Sequence, residues 1–327
     1  MQAILAVTIP FFALVLAGYL AARKHILPES AIPGLNAFVL YFALPCLLFR
    51  FGMNTPVLQL LNPFVLAVYV LCALVIVFFT IAVTWNGPVD LKNASFGALV
   101  AAFPNTGFMG VPLLVALLGP AAAGPVICTV LADLFVTSSL CIALAQAHAG
   151  RDSTPGVPHD ARAAGWRALK GALSNPLPWS IALGAAFSVA EVKLSGPVDV
   201  VVRMLADAAS PVALFTIGAV LHRAGQHAHA RTPVAQYLPV ALIKLFVHPL
   251  LVLAVGSAAR QLGAPLSSFQ LLVLTLAAAL PSASNVSLLA ERYGADNGRI
   301  ARIIMSSTAL AFVSFTALAW VFGVRPV

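Results

Sequence analysis

Two apolar stretches of the sequence are interrupted by prolines that are followed by small polar residues. One interruption lies in residues 98–112 and the other in residues 274–287. The residues there that could bind something are Pro104, Asn105, Thr106, Gly107, Pro281, Ser282, Ser284 and Asn285. Proline removes a backbone N–H and its ring clashes with the carbonyl four residues earlier, so each helix should break. Amides and hydroxyls beside a break can satisfy freed backbone groups or bind a small ligand, and we predict a binding site.

The charge of the predicted ligand follows from the surroundings of the two breaks. The free N–H groups at the start of a helix are equivalent to roughly +0.5 charge. Two half-helices that start after Pro104 and Pro281 would therefore form a positive pocket. Neither interrupted segment contains Asp or Glu that could hold a cation. The sequence favours an anion.

Two ionisable residues inside apolar stretches are further candidates, for charge balance or for ion coupling. They are Lys244 and Asp133. A charge at the centre of a membrane helix costs about 2.5–3.5 kcal/mol, so Lys244 should face the protein interior or a cavity. Two interpretations of Lys244 stay open: a bond to a backbone carbonyl, or a pair with Asp133. Asp133 could also carry a coupling proton or cap a local kink.

Metal and cofactor chemistry finds little support in the sequence. Cys46, Cys72, Cys128 and Cys141 lie in apolar stretches without metal-ligand spacing. The histidines of residues 222–229 have no carboxylate or thiol beside them to complete a metal site. We predict no metal and no cofactor.

The composition indicates a protein whose solvent is lipid. Of the 327 residues, 61% are hydrophobic and 9% are charged, with a mean hydropathy of +0.99. A soluble domain carries about 25% charged residues. The net charge of +8 comes from Lys and Arg dispersed in short loops. This distribution favours a role in setting the orientation of the protein in the membrane over nucleic-acid binding. We predict one all-α membrane domain.

Apolar stretches long enough to cross the hydrocarbon core, roughly 20 residues each, recur along the chain. We predict ten transmembrane helices at about residues 3–22, 32–50, 62–85, 93–118, 121–148, 175–192, 198–222, 234–259, 267–292 and 298–323. Residues 149–174 form a predicted cytoplasmic linker between five helices in 1–148 and five in 175–327. Twelve of the 18 Lys and Arg residues then lie on one side and five on the other. This bias predicts periplasmic termini in a bacterial inner membrane.

Five helices per half mean that the second half enters the membrane from the opposite side, as in an inverted repeat. Prolines support this relation, because Pro45 and Pro211 lie in the second span of each half and Pro104 and Pro281 in the fourth. For one interrupted span, a proline kink patched by nearby hydroxyls is an equally good interpretation. Two at corresponding positions favour a transport site.

The segment Pro104-Asn105-Thr106-Gly107-Phe108-Met109-Gly110-Val111-Pro112 resembles the signature of the auxin efflux carrier family, which includes PIN-like proteins and malonate transporters. Leu44-Pro45, Lys244 with Pro249, and the segment that begins at Pro281 add to the resemblance. It implies two inverted five-helix repeats, akin to bile-acid symporters and sodium/proton antiporters. Helices 4 and 9 would cross at their breaks, and helices 1, 2, 6 and 7 would form a scaffold. It also implies carboxylate substrates, an elevator-type motion and a homodimer.

Together these features predict a secondary transporter that moves a mono- or dicarboxylate, such as malonate, malate or an auxin-like acid, by alternating access. A co-transported proton is favoured over sodium. The alternatives are a passive anion channel and a sodium-coupled organic-anion symporter of the bile-acid type. A membrane-embedded enzyme is disfavoured, because paired Asp residues are absent from the predicted spans.

Overall fold

The computed structural model describes residues 1–56, 60–86, 88–149, 166, 170, 173–226 and 232–326. Within them the chain is helical, with two isolated β-bridges and no strand. The helices are α1 (Gln2–Arg23), α2 (Ala31–Asn54), α3 (Pro63–Thr84), α4 (Leu91–Ala102), α5 (Thr106–Leu118), α6 (Pro120–Gln146), α7 (Pro176–Val189), α8 (Gly196–Gln226), α9 (Val234–Gln261), α10 (Ser268–Ala278), α11 (Val286–Arg292) and α12 (Asn297–Val321). The predicted all-α fold is confirmed for these residues.

Seven helices in the described part of the chain are long and apolar enough to cross a membrane: α1, α2, α3, α6, α8, α9 and α12. Three shorter apolar helices, α5, α7 and α10, accompany them. The predicted multi-pass membrane protein is confirmed, whereas the count of ten spans stays a prediction. Most of the predicted linker 149–174 lies outside the described residues, as do His227 and His229.

Prolines shape several helices by widening a turn. The segments Val39–Ala43, Thr106–Gly110 and Ile243–Val247 are π-helical, and a proline follows two residues after each one. These prolines are Pro45, Pro112 and Pro249. Because proline cannot donate to a carbonyl and its ring needs room, a turn with an inserted residue is a low-cost solution. Pro211, by contrast, lies within an uninterrupted α8.

Two pairs of helices approach closely through glycines. In α1 and α8, a Cβ added to Gly18 would lie 1.9 Å from the Phe215 carbonyl oxygen, and one added to Gly218 would lie 1.9 Å from the Val15 carbonyl oxygen. In α2 and α7, Gly52 and Gly184 meet in the same way, with a Cβ at Gly184 only 2.3 Å from the Phe49 carbonyl oxygen. Small residues are the usual means of close helix packing in lipid. These four helices form two tightly joined pairs.

Candidate functional site

The chain leaves the helical conformation at both predicted breaks. α4 ends at Ala102 and α5 begins at Thr106, so three residues separate them. α10 ends at Ala278 and α11 begins at Val286, a gap of seven residues. Both breaks that we predicted from Pro104 and Pro281 are therefore present. The second break is the longer of the two.

The two interruptions pair with each other in an antiparallel β-bridge between Pro104 and Ser282. The Asn105 N–H donates to the Pro281 carbonyl at 2.8 Å, and the Ala283 N–H donates to the Phe103 carbonyl at 3.0 Å. These bonds satisfy backbone groups that the breaks would otherwise leave unpaired in a buried place. We call this pairing of residues 103–105 with 281–283 the crossing.

Serine hydroxyls make further hydrogen bonds at the crossing. The Ser282 hydroxyl donates to the Val100 carbonyl at 2.8 Å, near the end of α4. The Ser282 N–H donates to the Ser307 hydroxyl of α12 at 3.2 Å. The interrupted helices are thereby fixed to each other and to α12.

The first break leaves backbone donors available. The N–H groups of Met109 and Gly110 both donate to the Asn105 carbonyl, at 3.1 and 2.9 Å. Those of Gly107 and Phe108 have no acceptor among the described residues. Unpaired donors at a helix start carry partial positive charge. The expected positive end is therefore present at α5.

The second break differs from the first, because the first donors of its helix have acceptors. The N–H groups of Val286, Ser287 and Leu288 donate to the carbonyls three residues earlier, at 3.1–3.3 Å. The longer gap gives the chain room for a tight turn before α11. Such i→i+3 bonds satisfy the first donors of a helix. The positive end is consequently stronger at α5 than at α11.

A cavity of about 1080 Å³ opens beside the crossing. Four predicted site residues line it: Pro104, Asn105, Gly107 and Asn285. The other four, Thr106, Pro281, Ser282 and Ser284, do not. Ser282 is used inside the crossing, and the Thr106 hydroxyl turns to the Pro104 carbonyl at 3.5 Å. The structure brings about half of the predicted set to one cavity.

Asn105 and Asn285 come to this cavity from different breaks. Asn105 is only 2% exposed, and Asn285 is partly buried. The side-chain oxygen of each amide is buried without a hydrogen-bond partner among the described residues. A buried polar atom left unpaired costs about 1–3 kcal/mol, so such atoms need an explanation. A ligand or water in the cavity would supply the missing partner once the amide turns toward it.

The cavity extends from the crossing to exposed residues at one end of the helices. Its outer part is lined by α2, by the start of α7 and by the connection from α11 to α12. Four charged residues lie there: Glu29, Arg223, Glu291 and Arg292. The sequence alone did not indicate that these four residues line a cavity, because charged residues are also common in loops at the ends of membrane spans.

The remaining predicted site residues lie away from the cavity lining. Lys244 is fully buried and donates to the Ala278 carbonyl at 2.5 Å. Asp133, also fully buried, accepts bonds from the Tyr69 and Thr137 hydroxyls at 2.9 and 3.1 Å. Lys244 and Asp133 form no direct ion pair among the described residues, and of the two interpretations of Lys244 the structure has the bond to a backbone carbonyl.

Pro45 and Pro211 do not line the cavity either. Pro45 follows the π-helical turn of α2, and Pro211 is exposed on α8. Within the described residues, no three His, Cys, Asp or Glu side chains group to hold a metal ion.

Comparison with known proteins identifies a family that matches most of the chain. Residues 3–319 match the family described as "Membrane transport protein". The chain belongs to this family. Its membership confirms the resemblance predicted from the sequence, and it makes the chain a membrane transporter.

The transporter has relatives of nearly equal length. It is 29% identical to a Rhizobium meliloti (strain 1021) protein named "Putative malonate transporter", over 97% of this chain and 95% of the relative. It is 25% identical to the "Uncharacterized transporter YfdV" of Escherichia coli (strain K12), over 97% and 96%. An "Uncharacterized transporter" of Methanothermobacter thermautotrophicus is 26% identical over 92% of each chain. Family and relatives are transporters and not enzymes.

Proposed function

We propose that this transporter is a secondary carrier of a small organic anion, a mono- or dicarboxylate, which binds at the crossing. One observation carries the proposal: Asn105 and Asn285, one from each break, line the same cavity, and the side-chain oxygen of each is buried without a partner among the described residues. The name of the Rhizobium meliloti relative supports malonate as the first acid to test.

The chemistry of the cavity face suits a carboxylate. An amide offers an NH₂ donor as well as an oxygen acceptor, and a rotation by 180° exchanges the two. Asn105 and Asn285 can thus each donate to a carboxylate oxygen. The free N–H groups of Gly107 and Phe108 add donors and partial positive charge at the start of α5. None of the residues at the crossing is acidic. Pro104, Thr106, Pro281, Ser282 and Ser284 would hold the amides in place and not bind the anion themselves.

We further propose that the fold consists of ten spans in two inverted repeats. α4 with α5 and α10 with α11 would each make one interrupted span. Exchanging the halves turns the α1–α8 pair into the α7–α2 pair, and both pairs are joined at glycines. The same exchange relates the contact of α3 with α4 to that of α9 with α10. Such matched contacts are what a pseudo-two-fold axis in the membrane plane produces.

The location of the cavity supports alternating access by an elevator-type motion. On one side it is lined by α2, α7 and α8, the proposed scaffold, and on the other by the crossing, α6 and α11. A cavity between two bodies changes its accessible side when one body slides past the other. Under the predicted topology, with periplasmic termini in a bacterial inner membrane, this cavity opens to the cytoplasm. A homodimer through the scaffold is proposed from the family resemblance.

Uptake into proteoliposomes tests the proposal. We expect saturable uptake of malonate, malate or an aromatic acid, and a large loss in the Asn105→Ala/Asn285→Ala double variant. Undiminished uptake in the folded double variant would contradict the proposed site. Preloading with unlabelled acid should drive transient accumulation of label, which a carrier shows and a passive channel does not.

A further inference from the structure

A second group of polar side chains lies in the protein interior, outside the cavity lining. It consists of Tyr69 on α3, Asp133 on α6, and Lys244 and His248 on α9, and we call it the buried polar cluster. Each of the four is fully buried, and none lines the cavity. A charge buried in a membrane protein is costly and usually has a function. The proposed anion site uses none of these residues.

The acidic member of the cluster, Asp133, is held by two hydrogen bonds. Asp133 Oδ2 accepts from the Tyr69 hydroxyl at 2.9 Å, and Oδ1 accepts from the Thr137 hydroxyl at 3.1 Å. Asp133 begins the π-helical turn Asp133–Thr137 of α6. This turn has no proline after it to explain it, and π turns often occur at functional sites. The carboxylate is thus held in a defined place.

The positive member caps an interrupted helix. Lys244 Nζ donates to the carbonyl of Ala278, the last residue of α10 before the second break. Carbonyls at a helix end have no partner within the helix and carry partial negative charge. Lys244 Nζ also lies 3.3 Å from His248 Nδ1, which can accept a hydrogen bond from the ammonium group. Asp133 belongs to the same group, because the Tyr69 side chain that donates to it has its ring centroid 6.0 Å from that of His248.

A carbonyl at the end of a broken helix with a carboxylate nearby is an environment for a small cation. In carriers built from interrupted helices, such helix ends and unwound carbonyls coordinate the coupling Na⁺ or H⁺, while the helix starts face the anionic substrate. Here the helix start of α5 faces the cavity, and the carbonyl end of α10 faces the ammonium group of Lys244.

We propose that the Lys244 ammonium is a built-in cation that occupies the place of a coupling ion, so that this carrier works without sodium. The proposal rests on the proposed function, because it describes the coupling of the same carrier. Lys244 acts as a positioning residue: it holds the carbonyl end of α10, and with it the crossing. His248, Asp133 and Tyr69 are the titratable groups that face it, from α9, α6 and α3.

Removal of the ammonium group should create a site for a free cation. Lys244→Ala removes three methylene groups and the amine, which propylammonium would replace in shape and charge. We expect Lys244→Ala to melt roughly 10 °C below wild type in choline chloride. Propylammonium or sodium should restore much of that loss, since a ligand that binds only the folded state raises its melting temperature. Wild type and the exposed-site control Lys24→Ala should melt equally in all three salts.

A second variant keeps the test decisive. Asp133→Asn/Lys244→Ala lacks the carboxylate as well, so its melting temperature should not respond to cations. The proposal is overturned if Lys244→Ala melts alike in choline, sodium and propylammonium. It is also overturned if uptake by wild type requires sodium, a result that does not depend on the folding of any variant. No acid is present during melting, so failure here is separate from failure of the proposed anion site.

Discussion

The cavity face of the crossing and the buried polar cluster differ in how many of their polar groups have hydrogen-bond partners within the protein. At the cavity face, the oxygens of Asn105 and Asn285 and two N–H groups of α5 have no partner in the described chain. In the cluster, both Asp133 oxygens and the Lys244 ammonium are hydrogen-bonded within the protein, and His248 Nε2 is the one cluster atom without a partner among the described residues. Unpaired polar groups suit a place where a ligand comes and goes, whereas paired ones suit a permanent part of the framework. The difference predicts that substitutions at the two places affect different properties.

The largest expected effect is on stability, at Asp133. Asp133→Ala leaves the Tyr69 and Thr137 hydroxyls unpaired and removes the carboxyl group from the cluster. Leaving a buried hydroxyl without its partner costs about 1–3 kcal/mol for each group. Thermal unfolding should show this loss, and Asp207→Ala, at an exposed position of α8, should show almost none. Equal stabilities of the two variants would mean that the cluster does not support the fold.

The next largest effect should be on transport, at Asn105. A hydrogen bond to a charged group contributes about 1.5–3 kcal/mol, so Asn105→Ala should lower the uptake efficiency roughly 10- to 100-fold. Its melting temperature should stay near that of wild type, because the amide oxygen loses no partner within the protein. Asn36→Ala, in the outer part of the same cavity, is the control and should transport normally. An Asn105→Ala variant that is unstable but transports well would contradict this prediction, because it would behave as expected of Asp133→Ala.

A smaller effect should appear inside the crossing, at Ser282. Ser282→Ala removes the bond to the Val100 carbonyl and should cost about 1 kcal/mol of stability. Affinity for the anion should change little, since Ser282 does not line the cavity. Ser306→Ala, which loses only a bond within its own helix, is the matched control. A selective loss of affinity in Ser282→Ala would show that the hydroxyl reaches the substrate.

Some of this contrast could be predicted from the sequence, because its causes are local. Pro104 and Pro281 lack a donor wherever they stand, so the breaks follow from the residue type. Asn105 and Asn285 are the last residues of those breaks and were predicted as site residues. The lengths of the two breaks were harder to predict, since tertiary contacts decide where α11 begins.

Other parts depend on packing between distant segments. Thr106 and Ser282 have the same polar chemistry as their neighbours, but the crossing turns their hydroxyls to backbone carbonyls. Whether Lys244 reaches Asp133 or Ala278 depends on where α6, α9 and α10 lie relative to one another. The glycine contacts of α1 with α8 also join residues about two hundred positions apart.

The smallest effect is expected at Gly107, on the cavity face. A Cβ added there meets no atom within 4 Å. Gly107→Ala should therefore fold and transport almost as wild type does. Gly110→Ala is the contrasting variant, because its Cβ would lie 2.6 Å from a Leu280 side-chain carbon. A severe loss in Gly107→Ala alone would mean that the cavity closes on this residue.

Protection of a cysteine at position 107 tests most directly whether the anion binds at the crossing. Gly107→Cys would be made in a chain whose four native cysteines are replaced by alanine, and its reaction with a small thiol reagent would be timed. We expect the transported acid to slow the reaction in proportion to its occupancy of the site, and Asn105→Ala to weaken that protection. An unchanged reaction rate at concentrations of acid that saturate uptake would contradict binding at the crossing.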